Sequence, residues 1–463
     1  MKEIEFTNRH RNIILVLFLF GIFIGSLDAG IIGPALQSIQ KTFSIDSRLS
    51  SWVYAIYVLF FIVGSPIVAK LSDFKGKRNI FILSIAIFAT GSGLISFSPS
   101  FELVLLGRAL QGFAAGGLFP LAAAFIGDYF PVEKRGVALG SLGSVYGMGA
   151  ICGPVFGAVI LPFGWEWLFL INIPIGIGLI IASFHFIPIF EQNKYFNVDW
   201  LGITVFSIAA SFLAIGLNRI DSAHFFESLF SWDILLFILL FIILMPILLK
   251  IEKRAKEPLL PIELLKLKEM GLASGIALCF GMVVSIYVFL PSLALLIFFN
   301  NPSIASLIML PIVLTSTIAA PIVGLLLDKL GSKKIMVSGT LSLIFGLVLM
   351  ILFFRIFHIF IVAEVFISFG LFTIVGAPLR YIVLTETKHG GRGAGQATIN
   401  ILTNSGQLVG GALIGAVIAS FGGKVLGYHL SFFFITIFAL IAFLLAIQLK
   451  SRKEQLKTIE VND

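Results

Sequence analysis

Apolar runs of roughly 20 residues, the length a helix needs to cross a bilayer, recur along the whole 463-residue chain. Fourteen are legible, at about 13–33, 51–70, 79–98, 102–127, 137–161, 167–189, 200–217, 231–249, 270–299, 303–327, 335–354, 357–379, 394–421 and 427–449. Only helices can carry such continuous apolarity across lipid, because every backbone polar group must be satisfied within the segment. The pattern predicts an all-α integral membrane protein with 14 transmembrane helices. The first run is too long for a leader-peptide core and has no small-residue cleavage site, so it is expected to stay as a helix.

Connections between the runs are short, with two exceptions. Glu191–Asp199 links runs six and seven, and Lys250–Glu269 links runs eight and nine. They divide the chain into a six-helix bundle (1–190), two linking helices with a charged linker (191–269), a second six-helix bundle (270–449) and a tail (450–463). The stretch Lys250–Pro261 is the most charged in the chain, and its amphipathic continuation Ile262–Met270 is expected to lie along the membrane surface.

Two loops repeat one message 255 positions apart. Ala69-Lys70-Leu71-Ser72-Asp73-Phe74-Lys75-Gly76-Lys77-Arg78 follows the second helix of the first half. Gly324-Leu325-Leu326-Leu327-Asp328-Lys329-Leu330-Gly331-Ser332-Lys333-Lys334 follows the second helix of the other. Each sets an Asp three residues before a Gly and basic residues just after it. The Gly suits a tight turn, the acid a helix terminus, and the basic cluster holds the loop on the cytoplasmic side. Two such copies predict a duplicated domain, with parallel halves about an axis along the membrane normal and a site between them.

Composition fixes the solvent. With 58% hydrophobic residues, 12% charged and a mean hydropathy of +1.06, a soluble globular domain is excluded. The net charge of +8 is not a nucleic-acid signal, because its distribution is topological. With the N-terminus inside, 25 of the 32 Lys and Arg fall in cytoplasmic loops and tails. The outer loops hold Lys41, Arg48, Arg219, Arg355 and Lys424, while Arg108 falls within a run and Arg380 at the end of one. This asymmetry places both termini in the cytoplasm. Cys152 and Cys279, in runs of different halves, read as buried free thiols.

Charges inside the membrane are the candidate chemistry. An Arg within a spanning helix costs about 2.5–3.5 kcal/mol on insertion scales, so Arg108 requires a partner or a wet cavity. At 1.5 Å per residue, Asp28 lies about 8 Å from the outer face of the hydrocarbon core, Arg108 about 9 Å and Glu364 about 10 Å. Asp28 and Arg108 are therefore either a proton-coupling pair or an ion pair that only holds helices together. Glu364 is either a second coupling acid or a headgroup contact. Arg380, at the end of its run, reads as a snorkelling helix-end residue. Asn400, Asn404 and Gln407, spaced four and three apart, share one helix face that either lines a wet cavity or bonds a neighbouring helix. On run five, Gly136, Gly140, Gly143, Gly147, Ala150, Pro154 and Gly157 form one stripe that lets another backbone approach, with a bend at Pro154.

The twin loops resemble the loop signature of the major facilitator superfamily, and further stretches are similar to its fourteen-helix drug:proton antiporter branch. Arg108-Ala109-Leu110-Gln111-Gly112 resembles the motif of the fourth helix. Gly147-Met148-Gly149-Ala150-Ile151-Cys152-Gly153-Pro154-Val155-Phe156-Gly157 resembles the antiporter motif of the fifth, which makes Gly143, Gly147, Gly153, Pro154 and Gly157 its candidate residues. Leu27-Asp28-Ala29-Gly30, Trp165-Glu166-Trp167, Asn172-Ile173-Pro174, Asp199-Trp200-Leu201-Gly202 and Glu257-Pro258-Leu259-Leu260-Pro261 fit as well, so the likeness runs along essentially the whole chain. Ala69, Phe74 and Glu166 depart from it, replacing a usual Gly, Arg and Arg.

The resemblance implies a secondary active exporter that alternates access and exchanges a proton for a lipophilic, cationic compound. The acids and Arg108 would serve proton coupling, with Asp28 set by a balance between apolar surroundings and Arg108. The first-half loop (Asp73, Gly76, Lys77, Arg78) would act as a latch, with Asp328 and Gly331 as its counterpart. The implied partners are small lipophilic molecules, protons and the bilayer of the plasma membrane, with a monomeric protein. An exporter of an endogenous anionic or lipid-like metabolite is the alternative within transport, and a membrane sensor or scaffold the alternative outside it. No phosphate-cradling Gly-Lys-Ser/Thr loop, paired Cys/His cluster or nucleophile motif is present, so neither ATP drive, a metal nor an enzyme is expected, and no cofactor beyond the proton gradient.

Overall fold

A computed structural model describes residues 8–45, 47–188, 199–219, 227–228, 230–255, 262–299, 307–387 and 392–462. All regular structure among them is helical. The first half comprises α1 (Asn8–Phe43), α2 (Ser47–Lys75), α3 (Lys77–Ser96), α4 (Phe101–Tyr129), α5 (Val132–Ile160) and α6 (Asn172–Phe186). Two further helices follow, α7 (Trp200–Asn218) and α8 (Trp232–Arg254). The second half comprises α9 (Lys268–Val284), α10 (Leu290–Ile297), α11 (Leu310–Leu330), α12 (Ser332–Phe353), α13 (Phe357–Val375), α14 (Ala377–Glu386), α15 (Arg392–Ser420) and α16 (Val425–Ala446), and α17 (Arg452–Asn462) ends the chain.

Eleven helical stretches among the described residues are long and apolar enough to cross a membrane. The three remaining expected runs coincide with α5, α7 and α15. Two crossings are interrupted where the sequence predicted continuous helices. Ser285–Val288 is a 3-10 turn between α9 and α10, and Gly376 breaks α13 from α14 inside a 30-residue passage. Pro378, two residues later, lacks an N–H and fits the first turn of the new helix. The amphipathic segment expected over Ile262–Met270 is also divided: a short helix, Ile262–Lys266, ends at Leu267 before α9 starts. Glu257–Pro261 lies outside the described residues.

The twin loops form matching turns. Gly76 has φ 84° and Gly331 φ 80°, a conformation in which a Cβ would be strained. Each joins the second helix of its half to the third with a single residue, so Asp73 and Asp328 sit in the last turn of the preceding helix. Both described chain ends lie at this end of the molecule: His10 bonds the carbonyl of Phe186, and Arg452 bonds that of Asp328.

Packing divides the molecule by depth. At the twin-loop end one hydrophobic cluster mixes both halves, joining Phe18, Phe125 and Leu139 to Val323, Leu327, Tyr381 and Leu384. At the opposite end the first half has its own cluster around Leu27, Val53, Val104 and Phe169. The second half has one cluster along its whole depth, from Met270 and Leu449 at the twin-loop end to Leu293 and Phe360 at the other. The halves are thus sealed together at the twin-loop end. Between them on one flank, Ile203 and Phe206 of α7 and Leu248 of α8 pack against Ile62 of α2 and Ile401 of α15.

Candidate functional site

Asp28 and Arg108 meet in a sealed pocket of the first half. The Asp28 carboxylate pairs with Arg108 Nη1, and neither side chain has any exposure. The other carboxylate oxygen accepts from Gln111 Nε2 at 3.0 Å and Asn172 Nδ2 at 3.2 Å. Both amides also reach Ser92 Oγ, at 2.8 and 3.3 Å, so α1, α3, α4 and α6 converge on one knot. Arg108 adds bonds to Gln111 Oε1 (2.8 Å) and the Val53 carbonyl (3.1 Å), and its guanidinium lies 4.2 Å from the Tyr57 ring centroid. The Tyr57 hydroxyl donates to the carbonyl of Gly25, one turn before Asp28. A change of charge at Asp28 is therefore felt by four helices and by Tyr57.

Gly25 and Tyr146 line a narrow, mostly apolar cleft near the middle of the first half, with Phe61, Ala115, Leu118 and Phe119. Its twin-loop end is closed by residues of both halves. Arg380, 2% exposed, lies with its guanidinium 4.5 Å from the Phe119 centroid. It donates to the Gln396 carbonyl at 2.9 Å and to Asn400 Oδ1 at 3.0 Å. Asn400 in turn donates across the seam to Ser65 Oγ (3.3 Å) and the Gly116 carbonyl (3.4 Å). The snorkelling expected of Arg380 is thus wrong: Gly376 ends α13 and α14 folds back into the core, which keeps the guanidinium among protein groups. Asn400 takes the helix-bonding role of its two readings, not the open cavity. Asn404 bonds the Asn400 carbonyl of its own helix at 2.7 Å, and Gln407 is half-buried.

Glu364 stands apart from Asp28 and Arg108. Its carboxylate is fully buried in the second half, and both oxygens lack a hydrogen-bond partner among the described residues, so it is no headgroup contact. The Tyr287 hydroxyl meets Ser368 Oγ at 3.0 Å, one turn along from Glu364.

The twin-loop end is closed by polar bonds across the seam. Asp328 accepts from the N–H of Gly136 (2.9 Å) and of Val137 (3.3 Å). Asp73 occupies the related place: a Cβ on Gly393 would lie 3.0 Å from its Oδ2. Asp128, at the end of α4, takes Lys77 at 2.7 Å from its own half and Arg392 at 3.2 Å from the other, and Arg392 also bonds the Gly127 carbonyl at 2.6 Å. Arg78 donates to the Phe184 carbonyl. Lys77 and Arg78 therefore tie the loop to α4 and α6.

The small residues of α5 serve two neighbours. Gly136 and Gly143 face the second half, opposite Gly324 and Gly376, whereas Gly149 and Gly153 face Ser26, Leu27 and Gly30 of α1. Gly147 and Gly157 are buried, and the Pro154 side chain lies outside the described residues.

Sequence reasoning missed Asp128 and Arg392 and misread Arg380. A signal existed for Arg392: Arg135-Gly136 at the head of α5 recurs as Arg392-Gly393 at the head of α15, the corresponding helix of the other half. For Asp128 the partners come from distant helices, and for Arg380 from the next helix along, and no local pattern announces them.

The sequence profile described as Major Facilitator Superfamily matches residues 18–189 and 272–461. The Bacillus subtilis protein named uncharacterized MFS-type transporter YfiU is 32% identical over 84% of this chain and 76% of its own length. Multidrug resistance protein 3 of the same organism is 28% identical over 72% of the chain, which spans 64% of that relative, just under two thirds. Riboflavin transporter RibZ of Clostridioides difficile is 28% identical over 72% of each chain. Among solved structures, the human organic anion transporter MFSD10 superposes with a TM-score of 0.68 at 16% identity, covering 94% of this chain and 99% of that one. At that identity the likeness shows the fold alone.

Proposed function

The chain belongs to the major facilitator superfamily, and from that premise we propose that this membrane transporter is a proton-coupled exporter of lipophilic compounds. The observation that carries the reading is the Asp28 carboxylate. It is buried within an apolar bundle, tied to Arg108, and connected through Tyr57 and Gly25 to the cleft. A proton on Asp28 removes the charge that holds Arg108, Gln111 and Asn172 in place, so the four helices can repack. Transport follows if that repacking opens the twin-loop end while the opposite end closes. Proton and substrate then alternate on the two sides of Tyr57, and the proton gradient supplies the drive with no cofactor. The relative named multidrug resistance protein 3 supports export of drug-like molecules.

The positive-inside distribution supports a reading in which the twin-loop end and both termini face the cytoplasm, and the membrane is proposed to be the plasma membrane. The sealed twin-loop end then makes the structure outward-facing, and a monomer suffices for the cycle. The cationic substrate implied by the resemblance is not supported at the cleft: Asp28 is engaged by Arg108, and Glu364 lies in the second-half core. Reconstitution into vesicles with an internal pH dye tests the proposal. Candidate compounds should each elicit proton movement opposite to their own flux. Compound flux without proton movement refutes coupling, and binding without flux in either direction indicates a sensor.

A further inference from the structure

Arg380 is a buried cation that no carboxylate pairs with among the described residues. Its bonds go to a backbone carbonyl and to neutral amides, and its Nε is buried with no partner among the described residues. A guanidinium in such a place is costly, and neutral partners do not cancel its charge. A neutral side chain would hold Gln396 and Asn400 at no such cost. The charge itself therefore needs an explanation.

Its surroundings supply one. Arg380 sits in the first turn of α14, whose start at Ala377 lies inside the membrane because the chain breaks at Gly376. The passage runs toward the twin-loop end, so the positive end of the α14 dipole faces the middle of the bilayer. A half-helix N-terminus in that position is a site for a negative group. Two independent positive elements, one side-chain and one backbone, thus lie behind Phe119, which lines the cleft. Above them Phe119, against which Arg380 stacks, and Tyr146 meet edge to face at 6.1 Å and form apolar walls.

We propose that Arg380 and the α14 N-terminus bind the anionic group of an otherwise apolar, aromatic substrate, so that the compounds exported are lipophilic organic anions. The inference rests on the export reading above for its biological role, but the site itself needs only binding. The anionic head takes the place of the Phe119 ring on the guanidinium, and the apolar body lies against Phe119, Tyr146 and Phe61 as that ring swings aside. Lysine at this position would keep the charge and lose the planar fork that matches a carboxylate.

The test uses the purified full-length protein and two fluorescent probes of similar body and opposite charge, 1-pyrenebutyrate and 1-pyrenebutylammonium. Wild type should bind the carboxylate at least tenfold tighter than the ammonium. Arg380→Gln should weaken pyrenebutyrate at least tenfold while leaving the ammonium unchanged or tighter, and Arg380→Lys should fall between. Equal affinities for the two probes in wild type overturn the proposal without any variant, which covers the case of an Arg380→Gln protein that does not fold. Equal loss of both probes in a folded Arg380→Gln also overturns it. Because no gradient is present, failure of proton coupling in vesicles and failure of anion binding here are separate results.

Discussion

The carboxylate of Asp328, in the second half, holds the backbone amides of Gly136 and Val137 in the first, at 2.9 and 3.3 Å. Its sequence twin Asp73 faces Gly393 in the reverse sense, so each half places an acid against the head of a helix of the other. The two loops therefore act as a reciprocal clasp, and Asp328 should matter as much as Asp73. Asp328→Asn keeps an acceptor but loses the charge, and hydrogen bonds to charged groups contribute about 1.5–3 kcal/mol. Spin labels at Glu133 and Lys329 should report a longer distance population at least tenfold more occupied than in wild type. An unchanged distance distribution would leave the loop a topological turn.

Asp28→Asn should abolish proton-driven transport. It should also destabilise the fold, because Arg108 would be left buried and uncompensated; removing one partner of a buried pair costs about 3–5 kcal/mol. The double variant Asp28→Asn with Arg108→Gln should recover most of the thermal stability in detergent and none of the proton coupling. If Asp28→Asn transports like wild type at matched expression, the pair is structural and the coupling acid must be sought at Glu364.

The α2–α4 contact depends on glycine. A Cβ on Gly112 would overlap the carbonyl of Tyr57, and one on Gly116 that of Phe61, both backbone atoms that cannot swing aside. Overpacking of this kind costs about 1–3 kcal/mol. Gly116→Ala should lower the melting temperature and displace Tyr57 from Arg108. Gly178→Ala, where nothing lies within 4 Å, is the control and should melt like wild type. Equal melting of the two variants would show that α2 and α4 are free to separate.

The spans, the duplication and the two turns were legible because hydropathy and a glycine at positive φ are local properties. The pairing of Asp28 with Arg108 was half legible, since helix rise gives depth but not azimuth: both were placed at one level, with Glu364, yet only two of the three meet. The breaks at Gly376 and Ser285–Val288 were hidden, because an apolar run looks the same whether or not its helix is continuous. Arg380 was misread for that reason. A straight helix would have carried it to the membrane edge.

A last expectation concerns the tail, which the sequence left as an appendage. Arg452 of α17 donates to the Asp328 carbonyl at 2.8 Å and to the Tyr381 hydroxyl at 2.7 Å, and Gln455 accepts from the N–H of Ser332 at 3.3 Å. The helix is thus fastened under the same turn that carries the clasp. Its own start is capped by Ser451, whose hydroxyl and N–H both bond Glu454 at 2.7 Å. Those two bonds hold the Glu454 carboxylate below its ordinary range. A lowered value in the folded state means the cap is intact above the ordinary glutamate range of about 4.3 and is lost as pH falls through the lowered value. Arg452→Ala should therefore loosen the twin-loop end in the same direction as Asp328→Asn. Because Arg452 grips the backbone of Asp328 itself, the two effects should be non-additive, with a coupling of about 0.5–3 kcal/mol in a double-mutant cycle of unfolding. Strict additivity would mean that α17 is docked without supporting the clasp, and deleting 452–463 would then leave the Glu133–Lys329 distance distribution as it is in wild type.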